Sequence, residues 1–412
     1  MTENSALWRR TVMWAGIPLM IGALNEYALA VALPSMRDEF ALAVHDLRWV
    51  MLCFLLADAV LLIAAGRYGD RVGRRRVMVI GFSIVAVGSL GAAIAPTFAL
   101  FLVARIIEGI GAGFLFSGLL GIVRDAAPAD KLGRAFGLWA FVGAIAVFLS
   151  PLLGGLLTQT ASWRWIMAFN ALLALVALVL TPKFMPVTPE SERRERARTG
   201  GLIAREPLES EGFIAGTSIM MMIYATMTLI WFMLTFFLQA TFDLSPLQVG
   251  AVFCSYAIWW LVLTPFTGRL VDRVGARAPL LIGLALGVLG MLMLAMSASS
   301  ERLGVVVGAL TLCAFGMAFA VPATNAVAFA NVDPAWRGEA SGINMTLRLV
   351  GSIVGLAVAG RVIASNVGSS AGAGLAHSAV TLWVLGAVLL AVAFVVAVMR
   401  VKSRAVEVTA EQ

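Results

Sequence analysis

Twelve apolar runs, each long enough to cross a bilayer, dominate the 412-residue sequence and leave few folds open to it. They fall at about 12–33, 47–66, 77–95, 98–123, 136–157 and 164–182, then at about 213–240, 246–267, 278–298, 303–330, 338–363 and 376–399. A helix needs roughly 20 apolar residues to cross the hydrocarbon core, whereas a membrane barrel would show alternating segments half that length. Only 13% of the residues are Asp, Glu, Lys or Arg and 61% are hydrophobic, against roughly 25% and 45–50% in soluble proteins. A water-soluble globule is excluded. The expected fold is an all-α polytopic membrane protein of twelve helices in two six-helix bundles, 1–182 and 213–412, joined by a charged linker at 183–212.

The net charge of +7 does not mark a nucleic-acid binder, because the basic residues sit in short clusters between the runs. Arg67, Arg71, Arg74, Arg75, Arg76, Arg124, Arg134, Arg269, Arg273, Arg277 and Arg400 all fall in one set of loops and tails, whereas Arg37, Arg48, Arg164 and Arg302 fall in the other. The positive-inside rule then places both termini in the cytoplasm of a multi-pass cell-membrane protein. The first run is too long for a signal-peptide core and reads as a retained helix. Cys53, Cys254 and Cys313 lie inside apolar runs, so neither a disulfide framework nor a metal site is expected.

The two sets of six repeat one another. Gly66-Arg67-Tyr68-Gly69-Asp70-Arg71-Val72-Gly73-Arg74-Arg75 recurs as Gly268-Arg269-Leu270-Val271-Asp272-Arg273-Val274-Gly275-Ala276-Arg277, and Gly133-Arg134-Ala135-Phe136-Gly137 recurs as Gly338-Glu339-Ala340-Ser341-Gly342. Duplicated halves in transporters enclose a midplane binding site. Positive-inside anchoring explains the arginines but not a glycine–aspartate frame found twice. In this frame Gly69 and Gly73 are expected to allow a tight turn, and Asp70 to cap a helix or pair with Arg.

On these residues the chain resembles the major facilitator superfamily along nearly its whole length. Gly66, Asp70, Arg71, Gly73 and Arg74 match its signature loop, and the resemblance implies that Asp70 locks a gate against the start of the eleventh helix, near Gly338. Arg105-Ile106-Ile107-Glu108-Gly109-Ile110-Gly111 resembles a motif associated with proton coupling, with Glu108 where Gln is usual. Ser150-Pro151-Leu152-Leu153-Gly154-Gly155 is similar to the exporters' fifth-helix motif, Ser150 replacing Gly. Proline and small residues there imply a kinked hinge surface. Leu24-Asn25-Glu26 and Ala30-Val31-Ala32-Leu33-Pro34 resemble the first helix of drug:proton antiporters, with Asn25 at the usual acidic position and Glu26 beside it.

Counting 1.5 Å per residue from the outer ends puts Glu26 and Arg105 about 10 Å deep and Glu108 and Asp58 about 15 Å deep; Arg348 is about 15 Å from the other side. Charges at such depth are costly and mark functional sites. Arg105 and Glu108, three residues apart, share a helical face; a purely structural ion pair is the alternative to a coupling pair. Glu26 is the expected proton carrier, with Asp58 and Glu108 as alternates and Arg105 as the tuning charge. Asn25, Tyr224, Trp231 and Arg348 are the expected cavity residues, the aromatic pair being suited to an organic cation.

Neither a phosphate-cradling loop nor a catalytic triad spacing is present, so no enzyme chemistry and no cofactor are expected. The resemblance implies a proton-coupled exporter of small amphipathic, drug-like molecules working by alternating access. A dedicated metabolite exporter, a proton-coupled importer or facilitator, and a non-transporting membrane sensor stay open. The expected partners are a small-molecule substrate, protons and the lipid bilayer, without nucleic acid, the chain acting as a monomer.

Overall fold

The computed structural model describes residues 2–128, 131–185, 208, 210–300, 302–333, 336–366 and 371–401, apart from the side chains of 2–7, 63, 70, 120, 132, 133, 136, 337, 338 and 371–373. Most of the expected linker, 183–212, therefore lies outside the described residues. No strand occurs among those described. Twelve long helices follow in order: α1 (Trp8–Phe40), α2 (Arg48–Val72), α3 (Arg74–Ile94), α4 (Phe98–Ala126), α5 (Leu132–Thr160) and α6 (Arg164–Phe184). Then come α7 (Glu211–Phe242), α8 (Pro246–Val274), α9 (Arg277–Ser297), α10 (Leu303–Phe329), α11 (Arg337–Ser365) and α12 (Ala371–Arg400). Eleven of these are long and apolar enough to span a membrane. The twelfth, α2, has 25 residues and at 1.5 Å each exceeds the roughly 30 Å hydrocarbon core.

The helices outrun the apolar runs that announced them, because hydropathy marks the hydrocarbon crossing while backbone hydrogen bonds carry a helix on into the polar zone. The signature segment is the clearest case. Gly66 to Val72 is helical, not a loop, and the Gly69 carbonyl accepts from the Gly73 N–H at 2.8 Å. The turn is confined to Gly73, whose φ of 92° only glycine adopts readily. Its repeat, Gly275, has φ of 83°. Ala41 and Asp243, at the ends of α1 and α7, both have φ of 52° and are separated by the same number of residues as Gly73 and Gly275. The duplication seen in sequence is thus also a duplication of backbone stops.

The chain forms two compact units. The first comprises Met1–Leu202, Trp231–Cys254 and Leu356–Ser378; the second comprises Ile203–Ile230, Ser255–Gly355 and Ala379–Gln412. In the first unit α4 is the hub, and its glycines set how near its neighbours come. A Cβ on Gly109 would lie 2.9 Å from the Ala57 Cβ of α2, and one on Gly111 2.7 Å from the Val85 nitrogen of α3. Gly88 of α3 in turn lies against α4, where a Cβ would stand 2.6 Å from the Glu108 nitrogen. The second unit repeats the device between α9 and α10: a Cβ on Gly290 would lie 2.8 Å from the Cys313 nitrogen. Lipid offers no hydrophobic drive to join helices, so such close approach and polar contacts supply it.

Gly88→Ala drives a methyl group into backbone that cannot yield, whereas Gly137, on α5, has open space where its Cβ would be. Thermal melting of detergent-solubilised protein should show Gly88→Ala destabilised by about 1–3 kcal/mol, and Gly137→Ala unchanged or slightly stabilised.

Candidate functional site

Five helices of the first unit converge on one buried ion pair. Arg105 of α4 is fully buried, as is Glu108 one turn on, and Arg105 Nη1 donates to Glu108 Oε2 at 2.5 Å. The same nitrogen donates to Asn25 Oδ1 of α1. Arg105 Nε donates to the Val50 carbonyl of α2 at 3.0 Å, and the guanidinium lies 4.5 Å from the centroid of the Phe54 ring. Glu108 Oε1 is the common acceptor for Asn25 Nδ2 at 3.0 Å, Ser89 Oγ of α3 at 2.6 Å and Asn170 Nδ2 of α6 at 3.2 Å. The carboxylate is thereby surrounded by donors, as a charge kept from water must be. Arg105 Nη2 and Asn170 Oδ1 are left without hydrogen-bond partners.

Asn25 reaches this cluster from an irregular backbone. Leu24–Ala28 forms a π turn in which the Leu29 N–H bonds to the Leu24 carbonyl. Asn25 is 1% exposed and also donates to the Ile21 carbonyl at 3.1 Å, so its amide ties the turn to α4. A π turn holds one residue more than an α turn and recurs at functional sites. It lets Asn25 face Arg105 while the adjacent Glu26 stays partly exposed.

The other expected residues fall into three groups. Asp58 of α2 is 2% exposed, and its Oδ1 has no hydrogen-bond partner; it does not join the Arg105 cluster. In the signature segment Arg74 pairs with Asp125 at the end of α4 and Arg71 is exposed. Gly66 stands within van der Waals reach of Ser117, and the Asp70 side chain lies outside the described residues. On α5, Ser150 is buried and donates to the Ala146 carbonyl at 2.6 Å, with Pro151 inside the helix. Gly154 lies against α1, a Cβ there standing 2.6 Å from the Ala28 Cα, and Gly155 against α8, 2.8 Å from the Leu247 Cα.

The two expected aromatic contacts, both on α7, fall in different units. Trp231 is 3% exposed, with its ring centroid 4.8 Å from Tyr27 and 4.4 Å from Phe253 in the first unit. Tyr224 belongs to the second unit, where its hydroxyl accepts from Arg348 Nη2 and the Arg348 guanidinium covers its ring at 4.2 Å. Sequence reasoning did not find Ser89, Asn170, Phe54 or Tyr27. For Ser89 and Asn170 the available signal was a lone polar residue inside an apolar span.

Helices in two sets of six with duplicated stops, and a buried charge cluster in the first unit, define a helical membrane transport protein. Residues 17–356, and again 219–411, match the sequence profile of the Major Facilitator Superfamily. The chain belongs to that family, whose members are transporters and not enzymes. It is 29% identical over 412 residues to the multidrug resistance protein Stp of Mycobacterium tuberculosis, covering 86% of this chain and 76% of that one. Identity is 25% over 411 residues to a tetracenomycin C resistance and export protein of Streptomyces glaucescens, with 87% and 76% covered. A bacterial homologue of the lysosomal transporter Spinster, solved in an inward-facing, occupied conformation, superposes with a TM-score of 0.80 at 13% identity, covering 95% and 96% of the two chains. The fold is shared with it.

Glu108→Gln removes the one carboxylate that, among the described residues, pairs with the buried Arg105, and breaking such a pair costs about 3–5 kcal/mol. Asn and Asp are isosteric, as are Gln and Glu, so Asn25→Asp combined with Glu108→Gln returns a carboxylate to the same guanidinium from the other helix. Thermal melting should show the single Glu108→Gln variant strongly destabilised and the double variant recovering at least half of that loss.

Proposed function

We propose that this transporter is a proton-coupled exporter of small amphipathic, drug-like molecules, working by alternating access. The observation that carries the reading is a partly exposed carboxyl group, Glu26, on the π turn that Asn25 pins to the buried Arg105–Glu108 cluster. A carboxyl group at that depth changes its proton affinity as water enters or leaves, and cargo can compete for the same space. Glu26 exchanges the proton; Glu108 holds Arg105 in place, with Asp58 as a second buried carboxyl group.

Export as the direction is supported by the resistance and export relatives and by the Pro151, Gly154 and Gly155 surface of α5, against which α1 and α8 pack closely. The arginine distribution supports a cell-membrane protein with both termini in the cytoplasm. The signature segment from Gly66 to Arg74 acts as the gate on that side, and the chain works as a monomer.

The test is accumulation of a fluorescent dye in proteoliposomes that are acid inside, where outflow of protons drives dye inward. Wild type should accumulate dye, and Glu26→Gln should lose at least about tenfold of the driven rate while still binding dye. Undiminished driven transport by Glu26→Gln would remove Glu26 from the proposed role.

A further inference from the structure

The second unit holds an intramembrane cation of a different kind. Arg348 lies well inside α11, half-buried. Its Nη2 donates to the Tyr224 hydroxyl, and its Nε is buried without a hydrogen-bond partner. No Asp or Glu lies within ion-pairing distance of it among the described residues. One turn earlier, on the same face, Asn344 is 6% exposed; it donates to Asn325 Oδ1 at 3.2 Å and leaves its own Oδ1 unpaired.

Arg105 shows how this chain accommodates a buried charge: a carboxylate, an amide oxygen and a backbone carbonyl accept from it. Arg348 has none of the carboxylate part of that arrangement, although a charge at mid-span costs about 2.5–3.5 kcal/mol on insertion scales. Its guanidinium has five N–H donors in a planar fork suited to a carboxylate, and Tyr224 takes one of them.

We propose that Arg348, positioned by Tyr224, receives an anionic group of the cargo, so that the transporter selects amphipathic molecules with a carboxylate or comparably acidic end. The aromatic residues support the same choice. The ring of Tyr224 is already covered by Arg348, and Trp231 is packed between Tyr27 and Phe253, so neither offers an open face to an organic cation. A cation brought to Arg348 would meet like charge at low dielectric. The inference rests on the transport reading above for the idea of a cargo, and narrows its chemistry.

The test is fluorescence titration of the purified full-length chain with three probes on one scaffold: anthracene-9-carboxylate, its uncharged amide, and 9-(aminomethyl)anthracene. Wild type should bind the carboxylate at least about tenfold more tightly than either of the others. Arg348→Gln should abolish that preference and leave the amide's affinity within about twofold. Tyr224→Phe, which loses only the hydroxyl, should keep the preference in reduced form. Equal binding of all three probes by wild type, binding of none of them, or a preference that survives Arg348→Gln overturns the proposal. The wild-type comparison decides the matter even where Arg348→Gln fails to fold. Because no pH gradient is applied, a carboxylate preference without proton-driven transport overturns the exporter reading alone, and driven transport without the preference overturns this one alone.

Discussion

A guanidinium sealed from water must be neutralised where it stands, and in the first unit that requirement organises five helices at once. Arg105 is held by Glu108 on its own helix, Asn25 on α1 and the Val50 carbonyl on α2, while Ser89 on α3 and Asn170 on α6 saturate the carboxylate. Any slip of one helix by a residue would strand a charge or a dipole in an apolar interior. Oily side chains cannot supply this specificity in lipid, since they pack about as well against hydrocarbon tails as against each other. The glycines of α4 and Gly88 of α3 make the convergence geometrically attainable, because donors and acceptors about 3 Å apart require backbones in near contact.

The two halves of the sequence share backbone devices and differ in their chemistry. Left-handed stops recur at Gly73 and Gly275 and at Ala41 and Asp243, and glycine-mediated crossings recur between α3 and α4 and between α9 and α10. Arg105 and Arg348 differ: the first is paired with a carboxylate inside a buried cluster, and the second rests on a tyrosine with no Asp or Glu within ion-pairing distance among the described residues.

Spans, their pairing into two sets and the family resemblance were all legible in the sequence, since hydropathy, glycine spacing and charge position are properties of the chain itself. The relative level of two residues was legible too: counting put Glu26 and Arg105 side by side, and Asn25, next to Glu26, does meet Arg105. Direction around the helix was not. Asp58 and Glu108 count to similar depth, yet only Glu108 joins the cluster, because azimuth and the offset between α2 and α4 both depend on packing: the Asp58 carbonyl faces Gly113, more than a turn beyond Glu108. The π turn at Leu24–Ala28 could not be read either, since Asn25 within it bonds to Glu108 and Arg105 of another helix. Nor could the helical state of Gly66 to Val72, where two glycines suggested a turn that only Gly73 makes.

The proposed function stands on exchange, in which a carboxyl group beside the Arg105 cluster would give up a proton as cargo takes its place. The most direct measurement is the pH change in a weakly buffered solution of purified protein as cargo is added, followed with an indicator dye. Acidification that saturates together with cargo binding is the predicted result. Saturating binding with no change in pH would contradict the account.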